Sequence, residues 1–348
     1  MDVTTDAGPP STGPVTATLD REGTSVAATA DDVRRQLDGR EFFWLDLAAG
    51  PPPAPGGDPP ALTLDGVLGG LFGFHPLDVE DAEHFGQRPK VEDYDEYTYL
   101  VAHGAAPAGG TAEVHLFFSA RFVVSVHRGP VEALDLARQR LARHRANGAA
   151  GAPQIVLVYD IVDALTDDFF PVLAAFDDRI DALESAILAR PTDDQLGEIF
   201  SMKQQLMAIR KVVAPQRDVF AGVSAGTYDI AGLTDGSGRY FRDLYDHLIR
   251  IGDMVDSYRD LLGGVMDTHL STVSNRLNVV MKQLAVIATV FLPLSFLTGF
   301  FGQNFGWMVE RLGGAPVFFG AGIGSQVVAA LLLMMMFKRR GWLGGPTT

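Results

Sequence analysis

Cysteine is absent from all 348 residues, which removes disulfides, thiolate metal sites and cysteine nucleophiles together. Basic residues are scarce: 28 Lys and Arg stand against 43 Asp and Glu, a formal charge of −15. Nucleic-acid binding is dominated by phosphate neutralisation, so a chain this acidic lacks the footprint for that partner. No phosphate-cradling Gly-Lys-Ser/Thr loop and no His-Glu-x-x-His pair occurs, so neither an enzyme activity nor a cofactor is expected. Proline is missing between Pro215 and Pro293, and charge is missing from two long runs, Gln283 to Val309 and Leu312 to Phe337.

Charge is divided unevenly along the chain. From Ser271 onward the charged residues are Arg276, Lys282, Glu310, Arg311, Lys338, Arg339 and Arg340, a net of +5, which leaves −20 for Met1 to Leu270. Two regions in different surroundings are therefore expected. Residues 1–38 begin with a Pro/Gly/Thr-rich stretch lacking the basic flank and apolar core of a signal peptide, and they read as a disordered tail. Residues 39–155 mix strand-like runs, such as Phe42-Phe43-Trp44-Leu45, Val114 to Phe118 and Phe122 to Val126, with a helical piece at Val131 to His144. That alternation predicts a small α/β domain, with a Pro/Gly loop at Gly50 to Pro60.

Residues 156–238 read as a helical hairpin, Leu157 to Leu188 and Asp194 to Val213, broken at Arg190-Pro191-Thr192-Asp193 and followed by a Gly-rich loop. With no proline from Gln216 to Leu292 to stop it, the chain can run as one helix over residues 239–301, on the order of 90 Å long at the α-helical rise. Leu244, Leu248, Ile251, Val255, Tyr258, Leu262 and Val265 follow the four-three spacing of packed helices, so this part of the helix is expected to be buried on one seam.

The two charge-free runs are each long enough to cross a bilayer core, which takes about 20 helical residues. The spans are placed at the end of the long helix and at residues 317–337, with a loop at 302–316 and a basic tail at 338–348. Arg276, Lys282 and Lys338-Arg339-Arg340 flank the spans on one side, and by the positive-inside rule both termini lie in the cytoplasm. The partners expected are thus a lipid bilayer and further copies of the chain, since one hairpin cannot enclose a pore.

A second stripe with four-three spacing runs through Asp267, Ser271, Ser274, Asn278, Met281, Ala285, Ala288, Leu292, Ser295, Gly299 and Gly302, with Gln303 and Asn304 just beyond. Small and hydroxylated side chains on a membrane helix either pack against another helix or line water. Asp267 and Asn278 would be unwelcome in a dry contact, which favours an axial pore. Met281 and Leu292 would form its apolar constrictions.

The stretch Asn278 to Leu284, Phe291-Leu292-Pro293-Leu294-Ser295 and Phe301-Gly302-Gln303-Asn304-Phe305 resembles the signature of the CorA family of divalent-cation channels. The likeness continues through His75-Pro76-Leu77, Glu80-Asp81, Gln87 to Glu92, Tyr240 to His247 and the closing Lys338 to Leu343. It implies a funnel-shaped homopentamer in the cell's inner or plasma membrane, carrying Mg2+ and related divalent ions such as Co2+ and Ni2+. Asn304 would stand at the outer entrance, with Ser295, Leu292, Met281, Asn278 and Asp267 along the conduit. It also implies regulatory Mg2+ held between subunits by Asp81 with Asp243, and by Glu80 with Asp167. Gln303 stands where the family has Met. ZntB-like zinc transporters, with proton coupling as one mechanism open to them, are the related alternative, and a non-conducting membrane-anchored metal sensor is a third reading. The stripe holds no His or Cys, the usual zinc ligands, and His269 lies outside it, which favours a hard hydrated ion.

Overall fold

The computed structural model describes residues 14–21, 24–50, 62–106, 110–146, 152–228, 230, 232–233, 238–303, 305–311 and 314–342. They fall into two compact units, residues 1–185 with 193–265 and residues 186–192 with 266–348.

The first unit is built on a seven-stranded mixed sheet in the order β2-β1-β3-β7-β6-β5-β4. Its strands are β1 (Val15–Arg21), β2 (Thr24–Ala27), β3 (Phe43–Ala49), β4 (Lys90–Asp93), β5 (Thr98–Ala105), β6 (Thr111–Phe118) and β7 (Phe122–Arg128). Only the β3–β7 pair is parallel. Alternation sorts the two faces: Phe43, Leu45 and Leu47 of β3 join Val124 and Val126 of β7 in a core covered by α1 (Ala30–Asp38), α2 (Leu64–Leu68) and α3 (Pro76–His84).

The expectation of a disordered tail over residues 1–38 is corrected for residues 14–21 and 24–38; residues 1–13 and 22–23 lie outside the described set, as does most of the Gly50 to Pro60 stretch. Val15, Ala17 and Leu19 alternate into the core while β1 pairs with β3 from Val15 opposite Ala49 to Asp20 opposite Trp44. The strand is rich in small residues, and β3 supplies the pairing that its own composition does not advertise. α1 follows behind a capping box in which Thr29 and Asp32 satisfy each other's backbone N–H groups.

The opposite face carries α4 (Glu132–Ala146) and α5 (Pro153–Asp167), followed by α6 (Phe169–Ala189) and α7 (Asp193–Ser224). The stretch expected as one helix from Leu157 to Leu188 is therefore two, separated at Asp168. α4 is tied to the sheet by buried charge: Trp44 Nε1 donates to Ser125 Oγ, Ser125 Oγ donates to Asp46, and Asp46 also pairs with Arg138 of α4. α5 lies against β5 so closely that a Cβ on Gly104 would sit 2.7 Å from the Leu165 carbonyl oxygen. β6 flanks His103 on one side, but on the other β4 pairs no further than Lys90 opposite Val101. Gln216 of α7 takes the place of a strand, accepting from His103 N at 2.7 Å and donating to His103 O at 3.2 Å.

α8 (Gly238–Phe301) is a single 64-residue helix, as its freedom from interior proline before Pro293 predicts. Within the first unit its seam is buried at Leu244, Leu248, Ile251, Val255, Leu262 and Val265, with Tyr258 half-buried. The second unit contains the rest of α8, α9 (Gly306–Arg311), α10 (Ala315–Val317), a π-helical turn (Phe318–Ile323) and α11 (Gly324–Arg339). The segment expected as a loop at 302–316 thus contains the short helix α9. From Ala315 to Arg339 the last three elements form one 25-residue span. His269 of α8 is buried and its Nε2 lies 3.1 Å from the Thr192 carbonyl oxygen at the α6–α7 tip.

Candidate functional site: an α8 polar stripe and a carboxylate cluster

Both apolar spans leave their hydrophobic windows almost wholly uncovered: none of the α8 window and 6% of the second are buried. Leu277, Leu284, Phe291 and Phe296 of α8 and Val327, Leu331 and Met335 of α11 are all exposed. That much contiguous apolar surface requires lipid or further protein around it.

The described stripe residues Asp267, Asn278, Met281, Ala288, Leu292, Ser295, Gly299 and Gly302 are exposed on α8 or at its end, and Gln303 follows; Asn304 lies outside the described residues. Hydroxyl bonding separates this stripe from its neighbours. Off the stripe, Thr289 Oγ1 donates to Ala285 O at 2.7 Å and Thr298 Oγ1 donates to Leu294 O at 2.8 Å, so both hydroxyls are satisfied by their own helix. Among the described residues, no protein group hydrogen-bonds the side chains of Ser271, Ser274, Asn278 or Ser295, which stay open to water or to a hydrated ion. A seven-residue repeat drifts about 20° per heptad on a straight helix, so the stripe faces one axis throughout only if neighbouring helices tilt across each other.

In the first unit, α3 carries Glu80 and Asp81 and is pinned at both ends. Asp78 accepts from Tyr97 at 2.7 Å and from Tyr94 at 3.1 Å, and burial pushes its carboxyl above the usual range. Where the chain leaves α3, Phe85 has φ 53° and Gly86 φ 84°. Glu113 clamps this turn, accepting from Gly86 N at 2.6 Å and Gln87 N at 3.0 Å. Burial opposes the Glu113 charge, but hydrogen bonds with His103 and His115 hold its carboxyl well below the ordinary value. Asp81 already has a cation beside it: Lys90 Nζ lies 2.7 Å from Asp81 and 2.5 Å from Glu92. Glu80 is exposed.

The other two expected regulatory acids meet at one histidine. His247 Nδ1 is 3.8 Å from Asp167 and 3.9 Å from Asp163, and its Nε2 is 3.9 Å from Asp243. Asp163, Asp243 and His247 place three potential ligand atoms within 4.8 Å of one another. Tyr159 donates to Asp243 at 3.0 Å, and Arg140 pairs with Asp163 at 2.5 Å. Burial pushes Asp160 up to about 6, and burial together with Asp163 raises Asp167, so negative charge is crowded here. Two carboxylates and an imidazole can hold a divalent cation, and the imidazole tilts the set toward Co2+, Ni2+ or Zn2+ relative to Mg2+.

Within the chain, then, Asp243 and Asp167 are brought together, while Asp81 and Glu80 sit on α3 and are not part of this group. Asp163 and His247 escaped the sequence reading. Their signals were the Asp243/His247 spacing of four on α8 and the Asp160/Asp163/Asp167 spacing on α5, both of which align side chains on one helix face. Another pattern missed in the sequence is Gly222-Val223-Ser224-Ala225-Gly226, which has the nucleophile-elbow spacing. It spans the C-terminal end of the helix α7 and does not follow a strand, and among the described residues no base bonds Ser224 Oγ, so it lacks the elbow's context.

Residues 66–339 match the family described as CorA-like Mg2+ transporter protein. The cobalt/magnesium transport protein CorA of Thermotoga maritima is 33% identical over 320 residues, covering 87% of this chain and 89% of that protein. The zinc transport protein ZntB of Cronobacter sakazakii is 29% identical over 233 residues, 66% of each chain. Among solved structures, the CorA magnesium transporter of Methanocaldococcus jannaschii superposes with a TM-score of 0.77 at 20% identity, covering 95% of this chain and 99% of that one, a likeness of fold. With the mixed sheet, the 64-residue helix and the second apolar span in place, these matches make the chain a member of the CorA-like Mg2+ transporter family.

Proposed function

We propose that this protein is a divalent-cation channel in which several copies of α8 surround an axial conduit, with Mg2+ as the principal cargo. The observation that carries this reading is the contrast along α8: the Thr289 and Thr298 hydroxyls are bonded to their own helix, whereas the hydroxyls of Ser271, Ser274 and Ser295 and the amide of Asn278 share a stripe and stay open. A hydrated cation moving along that stripe would exchange its outer hydrogen bonds from one polar ring to the next, and Met281 and Leu292 would interrupt the water column between them. Mg2+ dehydrates reluctantly, so amides and hydroxyls that hold its water shell suit it better than a cage of direct ligands. Asn304 and Gln303 would form the entrance.

A pentamer with both termini cytoplasmic, in the inner or plasma membrane, is the assembly that fits the family, and the basic residues on one side of the spans support the orientation. Regulation would follow from cytosolic Mg2+ bridging Asp81 to Asp243 of neighbouring copies, with Glu80 and Asp167 nearby, and so holding the ring closed. Zinc transport in the manner of ZntB is the second reading, favoured by the imidazole at Asp163/Asp243 and by Gln303 in place of Met. Flux of Mg2+, Co2+, Ni2+ and Zn2+ through the protein in liposomes separates the two. Voltage-driven Mg2+ entry is expected; Zn2+ flux with silence to Mg2+ would transfer the assignment, and silence to all four would leave the sensor.

A further inference from the structure

The chain ends its second span on a fixed structure. Arg340 N donates to Met336 O at 3.0 Å, Gly341 N to Lys338 O at 3.1 Å and Trp342 N to Phe337 O at 2.9 Å, with Gly341 at φ 67°. This αL turn closes the helix and folds Trp342 back against it. The indole stacks on Phe337, the one buried side chain of α11, with centroids 5.7 Å apart and planes 12° from parallel. The ring also meets α8: Lys282 Nζ lies 5.8 Å from the Trp342 ring centroid. Trp342 therefore joins the basic end of one span, Lys282, to the basic end of the other, Lys338-Arg339-Arg340.

Several bases of the first unit are taken up by the protein's own acids, Arg138 by Asp20, Asp46 and Asp135, Arg140 by Asp163, Lys90 by Asp81 and Glu92. Others there, such as Arg40, Lys203 and Lys211, form no ion pair among the described residues. Among the described residues, no carboxylate lies within salt-bridge distance of Arg276, Lys282, Lys338, Arg339 or Arg340, and all five are exposed, so their charge is available to an outside anion. Their position adds the second constraint, because each group sits where a charge-free run of more than twenty residues begins or ends, at the depth of lipid phosphates. Arg forks match phosphodiester oxygens in pairs, Lys supplies point charges, and a Trp ring sits well at the headgroup level.

We infer that Lys282, Lys338, Arg339, Arg340 and Trp342 form a binding site for the phosphate of anionic phospholipid headgroups. The headgroup would bridge the two spans where Lys282 directly follows Met281, so its binding bears on the helix that carries the constriction. The inference rests on the spans crossing a bilayer as proposed above.

The test uses the full-length protein in nanodiscs of phosphatidylcholine alone or of phosphatidylcholine mixed equally with phosphatidylglycerol. Retained lipid is read by native mass spectrometry and stability by the thermal midpoint. The wild type is expected to keep phosphatidylglycerol bound and to melt higher in the anionic discs. Lys338→Gln with Arg339→Gln and Arg340→Gln should lose both responses, with retention falling on the order of a hundredfold for three charges, while Arg339→Lys with Arg340→Lys retains them. If the triple variant fails to assemble, Lys282→Gln, a single change on the other helix, should show a partial loss. Equal retention of both lipids by the wild type overturns the site. So does an unaltered response in an assembled triple variant or in Lys282→Gln, or a full stability shift produced in neutral discs by free inorganic phosphate. Lipid retention is measured without transport. A protein that keeps phosphatidylglycerol but carries no ion upholds this site and sinks the channel, and a conducting protein indifferent to phosphatidylglycerol does the reverse.

Discussion

Single side chains in this protein do work that their neighbours cannot take over. Gln216 is one: it is 1% exposed and supplies both a donor and an acceptor to His103 where the sheet runs out of strand. Glu113 is another, holding the turn that aims α3 and its two acids. Asn304 is the sharpest case for function, because a ring of amides at the entrance is what would receive the water shell of an incoming cation. Asn304→Ala removes that ring without adding bulk. Mg2+ uptake into liposomes is expected to fall at least tenfold, a loss of about 1.4 kcal/mol of interaction, with assembly unchanged; normal uptake would show that the entrance lies elsewhere.

α8 is one element that meets two environments. Its first half buries a seam of Leu and Ile against the first unit, and its second half displays Leu, Phe and Met outward. The same residue types thus contribute differently along one helix. Leu248 is fully buried, so Leu248→Ala should cost about 2–5 kcal/mol through lost contacts and a residual cavity. A lowered thermal midpoint in detergent measures this, and an unchanged midpoint would mean that the seam does not hold the helix. The length of α8 was legible from the absence of proline, and the seam from its spacing. β1 and α1 were not: Val15-Thr16-Ala17-Thr18-Leu19 alternates correctly, but five small residues beside a Pro/Gly-rich segment become a strand only because β3 offers a partner. The break at Asp168 was hidden for the converse reason, since the apolar pattern continues through it and packing on the sheet ends α5 there.

On the proposed reading, regulation would belong to the whole assembly, with Asp81 and Asp243 meeting across a subunit boundary. In the isolated chain each acid already has company, Lys90 for Asp81 and Tyr159 for Asp243. A bridging Mg2+ would therefore compete with Lys90 and act on a site that is not rigidly empty of charge. Asp81→Ala combined with Asp243→Ala should relieve inhibition by internal Mg2+, moving the half-inhibiting concentration upward several-fold in flux assays. Inhibition at the wild-type concentration would remove these two acids from the gate. The burial that raises Asp160 to about 6 works in the opposite sense to a stabilising carboxylate: its native state binds the proton more tightly than the unfolded chain does. Its favourable contribution is present at low pH and is lost as pH rises through that value, and a cation bound nearby would offset the repulsion that remains.

Two properties followed from the sequence by itself: where the chain changes solvent and how long its central helix is. Both depend on one-dimensional facts, the positions of charge and of proline, which no fold can alter. The candidate conduit was legible for the same reason, since a stripe is a matter of spacing along one helix. Only the tertiary structure decided that Val15–Arg21 and Thr24–Ala27 join the sheet, that Asp163 and His247 stand with Asp243, and that Trp342 turns back to meet Lys282. Each of those is a meeting of segments distant in sequence, chosen by strand pairing, helix packing and a capped chain turn.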